Sequence, residues 1–211
     1  MEANIISIGT GSSKTYKEGY SSFQSAYKKD NFYNFIEVSD LGLSTDVQVD
    51  KRYHGGIDKA IHIGSIKHFT KFKDQYGKEL DKLAIGSNIL IDTFDEDDIC
   101  VGDIYSIGDI RVEVTQPRQP CWKIGAIFGK DVNRYIIDNH AIGWYVRVLD
   151  EGILDINDEM LLEKRVSDIT IKQLSYYVIT PPKDQKLIND ILSQAALSDR
   201  YKGNFKKALD K

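Results

Sequence analysis

Cys121 stands in the run Gln116-Pro117-Arg118-Gln119-Pro120-Cys121-Trp122-Lys123, which sets a thiol between two cations and behind two prolines. Proline fixes φ and has no N–H to donate, so such a run ends a strand ladder and holds the next side chains in one direction. Cations such as Arg118 and Lys123 favour the thiolate over the thiol. A thiolate is the form that ligates metal or attacks as a nucleophile, and it suits soft metals better than a carboxylate does. The alternative is a buried, inert cysteine beside a structural loop. Cys100, flanked by Ile99 and Val101, has the apolar neighbours of that alternative and no assigned role.

A second cluster is Arg52-Tyr53-His54-Gly55-Gly56-Ile57-Asp58-Lys59. Paired glycines permit positive φ and a close approach of backbone to ligand, and the N–H groups of such a turn form an anion-binding nest. Arg52, His54 and Lys59 add charge-assisted bonds to a phosphate or a heterocycle edge. The alternative is a tight turn whose charges are only solvated. His62 and His68 are expected on ordinary strand and helix surfaces, and His140 has no assigned role. Neither cluster matches a P-loop or dinucleotide fingerprint, and the chain has no CxxC pair, His-Glu-x-x-His or Gly-x-Ser-x-Gly.

The elements that must position these residues are mostly short strands. Ile5, Ile6 and Ile8 lead into Gly9-Thr10-Gly11, and Phe35–Val38, Asn88–Ile91 and Ile142–Leu149 are further strand-like runs. The clearest unit is a hairpin, with Ile104–Ile107 and Ile110–Thr115 joined by Gly108-Asp109. Alternation there puts Ile110, Val112 and Val114 on one face. Ile66, Phe69, Phe72 and Tyr76 predict a helix capped by Ser65 and stopped by Gly77, and Val132, Tyr135 and Ile136 predict another. After about Lys164 the pattern becomes helical. Asp168 is the expected cap of a helix carrying Ile171, Leu174 and Val178, ended by Pro181-Pro182. Leu187, Ile188, Ile191 and Leu192 form a second stripe, and Ser198 is expected to cap a third with Tyr201, Phe205 and Leu209. The reading is a mostly β, α+β chain: a barrel over 1–164 and a small three-helix domain over 165–211.

Composition narrows the function classes. A chain of 211 residues with 41% hydrophobic content builds a full core. With 28 Lys and Arg against 32 Asp and Glu, the net charge is −4, which argues against binding a nucleic acid polymer. The opening Met1-Glu2-Ala3-Asn4 lacks a basic n-region, and no stretch reaches the ~18 apolar residues of a membrane span, so a cytoplasmic protein with free thiols and no membrane association is expected.

Together the two clusters resemble the signature of the MOSC-domain family, named from the C-terminal part of molybdenum-cofactor sulfurases. His54-Gly55-Gly56-Ile57-Asp58-Lys59-Ala60 is similar to the family's His-Gly-Gly-x-Asp-Lys-Ala, and Gln116–Cys121 to the Gln-Pro-Arg-x-Pro-Cys of its YiiM branch. Ser25-Ala26-Tyr27-Lys28 resembles an early Ser-Ala-Ile-x-Lys stretch, and Gly143–Val148 a late Gly-Trp-Tyr-x-Arg-Val strand. The helical tail resembles the three-α domain that follows the barrel in that branch. One departure is Gly86-Ser87-Asn88, where the family usually carries Gly-Glu-Asn.

The resemblance implies a MOSC-type β-barrel that binds a molybdenum–pterin cofactor, with Cys121 as the ligand to molybdenum and the catalytic centre. It implies that His54, Gly55, Gly56, Asp58, Lys59, Gln116, Arg118 and Lys28 hold or orient that cofactor; pyridoxal phosphate is not expected. Trp122 and Trp144 are candidates either for a flat base-binding slot or for core aromatics. The implied activity is reduction of N-hydroxylated compounds such as 6-hydroxylaminopurine-type base analogues, as a detoxification. The implied partner is an electron-donating reductase, docked through the three-helix tail unless that tail is simply a cap on the barrel. A non-catalytic cofactor carrier and a metal-free purine-binding module remain open alternatives.

Overall fold

The computed structural model describes residues 1–51, 55–82 and 85–209. Its strands are β1 (Glu2–Thr10), β2 (Lys14–Glu18), β3 (Ser21–Ser25), β4 (Asn31–Tyr33), β5 (Phe35–Ser39), β6 (Gly42–Leu43), β7 (Ile61–Ser65), β8 (Ile89–Ile91), β9 (Ile104–Ile107), β10 (Ile110–Pro117), β11 (Trp144–Asp150), β12 (Gly152–Asp155) and β13 (Glu159–Lys164). The helices are α1 (Lys67–Tyr76), α2 (Trp122–Phe128), α3 (Lys130–Asn139), α4 (Ile171–Ile179), α5 (Gln185–Ser193) and α6 (Asp199–Leu209), with a 3₁₀ turn at Ile57–Lys59.

The main sheet runs β13-β9-β10-β11-β7-β8-β1, and β1 pairs again with β13, so seven strands close into a barrel. Closure removes the exposed edges that an open sheet must protect. Every pairing in the ring is antiparallel except β7 with β8. The interior is apolar: Ile5, Ile61, Ile63, Tyr105, Ile107, Val112, Val114, Trp144 and Val146 form one cluster. A small sheet, β12-β5-β6, adds Ile36, Val38, Leu43 and Leu154 to that same cluster.

The hairpin of β9 and β10 forms in the expected register, Ile110 opposite Ile107, with Gly108 at φ 56° in the turn. Gly77 ends α1 in the left-handed region at φ 64°. A second apolar cluster, with Phe72, Ile124, Tyr135 and Ile142, packs α1 to α3 outside the barrel. A third holds the tail, where Leu174, Ile188, Ile191, Tyr201 and Phe205 close over Val101. Ile171 at the start of α4 belongs to the barrel cluster, and its N–H donates to Ile99 O at 2.8 Å. The tail therefore shares core with the barrel.

Three capping expectations meet different outcomes. Ser198 does receive Tyr201 N–H at the start of α6. Thr170 rather than Asp168 caps α4, in a reciprocal box with Gln173, because it is the residue immediately before the first helical turn. Ile66, not Ser65, is the boundary residue of α1, although the Ser65 hydroxyl accepts from Lys67 N–H at 3.2 Å. The Leu209 side chain, the last of the expected α6 stripe, lies outside those described. Among the described residues no helix is long and apolar enough to cross a membrane.

Candidate functional site

A break in strand alternation builds the site. Val114 of β10 sits opposite Val146, but Gln116 sits opposite Tyr145, so β10 carries one extra residue at Thr115. Such a bulge re-aims the side chains beyond it. Val114 faces the core, whereas Gln116 shares the outer face with Tyr145. Tyr145 in turn pairs with His62 of β7, between the core residues Ile61 and Ile63. Gln116, Tyr145 and His62 thus line up on the outside of the barrel wall. This wall is covered: His62 is 3% exposed, so it is not the surface histidine expected from sequence.

Beyond Pro117 the chain brings Arg118 over the same wall. The Arg118 side chain is buried, its Nη1 donates to Ile85 O at 2.8 Å, and its guanidinium lies 4.1 Å from the centre of the Tyr27 ring. Its Nε is buried with no hydrogen-bond partner. His62 Nε2 is 2.8 Å from Ile142 O, and Nδ1 lies 3.2 Å from Gly86 O and 3.4 Å from Arg118 Nη1. Burial, and then the Arg118 charge, hold the His62 imidazole well below its ordinary pKa, so the ring stays neutral.

The cleft in front of this wall encloses about 620 Å³, including space open to solvent. Lys29 lines it, 7% exposed, with its ammonium 2.6 and 2.8 Å from the Asp46 carboxylate oxygens. Burial lowers the Lys29 pKa against the pull of Asp46. Lys28, the residue carried over from the resemblance, faces away: its ammonium is 3.8 Å from Asp81 and both side chains are solvated. Gly55 lines the cleft at φ 84°, where an added Cβ would lie 2.2 Å from Gln48 Oε1. Gly56 takes φ 83° and opens the 3₁₀ turn, with space around it. Lys59 lines the cleft and lies 5.8 Å from the centre of the Tyr145 ring. Arg52, Tyr53 and His54 lie outside the described residues.

Two of the expected cofactor residues serve as struts. Asp58 binds Arg147 Nη2 at 2.8 Å, and the same Nη2 donates to Ala196 O in the tail at 2.8 Å. Gln116 accepts the Ser198 hydroxyl at the start of α6. Both motifs therefore anchor the tail to the wall.

Cys121 precedes α2 with extended backbone, partly exposed, and lines both this cleft and a wider one of about 1000 Å³ beside it. The hairpin of β2 and β3 leans on the rim, where Phe23 meets Trp122 edge-on at 4.7 Å and Lys123 Nζ donates to Gln24 O at 3.0 Å. Trp122 is 56% exposed at the mouth, while Trp144 is fully buried in the barrel. Ser87, at the departure from the resembled pattern, has its hydroxyl buried without a partner.

Sequence reasoning missed Lys29, Asp46, His62 and Tyr145. Only His62 carried a signal, since strict alternation with Ile61 and Ile63 puts it on the opposite face to the core. Chemically, the cleft offers one thiol and a preponderance of cations over a neutral imidazole. Among the described residues no three His, Cys, Asp or Glu converge as a metal site. A metal here must bring its other ligands with it. An anionic, self-ligated metal group fits such a cleft, which Arg118 lines while its buried Nε lacks a hydrogen-bond partner.

A barrel of this topology with a cysteine at its rim is the architecture of a known class. Residues 50–161, over half of the chain, match the family model of the MOSC domain, and the chain belongs to the MOSC-domain family. Over its whole length it is similar to Protein YiiM of Escherichia coli, at 27% identity over 206 residues covering 96% of this chain and 91% of that one. The crystal structure of YiiM from Geobacillus stearothermophilus superposes with a TM-score of 0.79 at 28% identity, over 98% of this chain and 99% of that one. A protein of Gibberella moniliformis named Reductase is 32% identical over 118 residues, covering 53% of this chain and 21% of that one.

Proposed function

We propose that this chain is a molybdenum-cofactor-dependent reductase of N-hydroxylated compounds, of the 6-hydroxylaminopurine type. The observation that carries the reading is the convergence of Cys121, the buried Arg118 and Lys29 on one cleft, in a chain of the MOSC family. The partial similarity to a protein named Reductase supports the oxidoreductase class. When bound, the cofactor would supply the two-electron chemistry that converts R–NHOH, with two protons, to R–NH2 and water. Cys121 would hold the metal. Arg118 and Lys29 would hold the phosphate and pterin edge. Neutral His62 packs 3.4 Å from Arg118 Nη1, and the Ile85 carbonyl accepts from the same nitrogen, so the guanidinium is held in place. A reductase partner would return the electrons.

The test is turnover of 6-hydroxylaminopurine by molybdenum-loaded protein with a chemical reductant. Amine formation that disappears in Cys121→Ser, with the fold retained, supports the reading. Full molybdenum occupancy without turnover would instead identify a cofactor carrier.

A further inference from the structure

The wider cleft beside Cys121 is walled partly by the tail. Arg200, in the first turn of α6, lines it with Lys59 and Lys123, and among the described residues Asp50 is the one carboxylate in that lining. The whole chain carries a net charge of −4, so this gathering of cations from three separate segments runs against the composition. Lys59 and Arg200 line the same cleft, and burial together with the Arg200 charge pushes the Lys59 pKa down. Arg200 is held on its perch by the Gln116–Ser198 bond and by the Arg147 bond to Ala196 O. The exposed Trp122 ring lies on the same cleft. Cations converging beside an open aromatic face form a site for a planar group that carries an anion.

Resting on the reductase reading above, we propose that this cleft takes the N-hydroxylated base as its phosphorylated nucleotide, with Arg200, Lys59 and Lys123 on the phosphate and Trp122 stacked on the base. Lys59 and Lys123 line both clefts, whereas Arg118 and Lys29 line only the narrower one, where the cofactor's anion is proposed to sit, and Arg200 lines only the wider one. A phosphate held by Arg200 would therefore be the substrate's.

The full-length protein provides its own reporter, because Trp144 is sealed in the barrel and Trp122 stands at the cleft. Trp122 fluorescence should be titrated with adenosine monophosphate and with adenosine, using Trp122→Phe to identify the signal. The expected result is at least tenfold tighter binding of the monophosphate, with the advantage shrinking as salt rises. Arg200→Gln should remove most of that advantage without weakening adenosine, and Arg200→Lys should restore much of it. Equal affinities for the two ligands in the wild type would overturn the proposal. So would a loss of molybdenum and pterin from Arg200→Gln purified from molybdenum-supplied cells, which would assign the cation to the cofactor. Turnover of the free base without any preference for the monophosphate sinks this inference and leaves the reductase reading intact. A monophosphate preference in fully loaded protein that turns over no substrate sinks the reductase reading and keeps the phosphate subsite.

Discussion

Arg118 and Tyr27 donate to the same carbonyl, Ile85 O, from 2.8 and 3.0 Å, while the guanidinium sits 4.1 Å from the centre of the tyrosine ring. The aromatic face and the shared oxygen orient a buried charge that has no carboxylate partner among the described residues. Cation–π contacts and one carbonyl recover part of the desolvation cost and leave the rest in place.

Arg118→Met should therefore melt at or above the wild-type temperature. Inorganic pyrophosphate should stabilise the wild type and not this variant. Both are read by thermal unfolding with and without pyrophosphate. In a chain of this size about 1 kcal/mol moves Tm by roughly 2–4 °C, so a fall of about 10 °C would contradict the account.

Lys28 and Lys29 are neighbours with opposite fates. Lys28→Met should leave stability and cofactor content unchanged, because an exposed pair contributes about 0–1 kcal/mol. Lys29→Met strands the buried Asp46, whose Oδ1 also accepts Gly11 N–H, and should cost about 3–5 kcal/mol. Urea denaturation of the two variants separates them. Equal losses would mean that the Lys29–Asp46 pair does not hold the cleft together.

That pair also marks where sequence stops being informative. The hairpin at Gly108-Asp109, the Gly77 stop and the Ser198 cap are local, and turn chemistry and periodicity locate them. The choice between Lys28 and Lys29 depends on how the chain leaves β3, which a motif carried over from a resemblance does not resolve. Gln116 is legible as part of a motif, but its outward aim comes from an extra residue in β10, visible only against β11. His62 alternates correctly with Ile61 and Ile63. Its burial depends on the loops that carry Gly86, Arg118 and Ile142, and no strand pattern reports those. The pattern after Lys164 predicts three helices, and they are present. Their shared core with Val101 and Ile171 is a long-range fact.

His62 makes stability depend on pH. Its folded-state pKa lies well below the ordinary 6.5, so below that pH the unfolded chain takes up a proton that the folded chain does not. The His62 contribution is complete above 6.5 and is lost progressively as pH falls from there toward the folded value, at up to about 1.4 kcal/mol per pH unit. His140, lowered first by burial and then by Lys172, acts in the same direction. His62→Gln should flatten the dependence of unfolding free energy on pH between about 6.5 and 5. An unchanged slope would show that His62 takes up its proton equally in the folded and unfolded chains.

Cys121 is proposed to bind the molybdenum of a pterin cofactor in this cleft. The most direct test is the molybdenum and pterin content of wild type and Cys121→Ser, both purified anaerobically from molybdenum-supplied cells. Stoichiometric molybdenum and pterin are expected in the wild type, with the metal missing or readily lost in a folded Cys121→Ser protein. Molybdenum retained equally by both, or absent from both, would contradict this assignment.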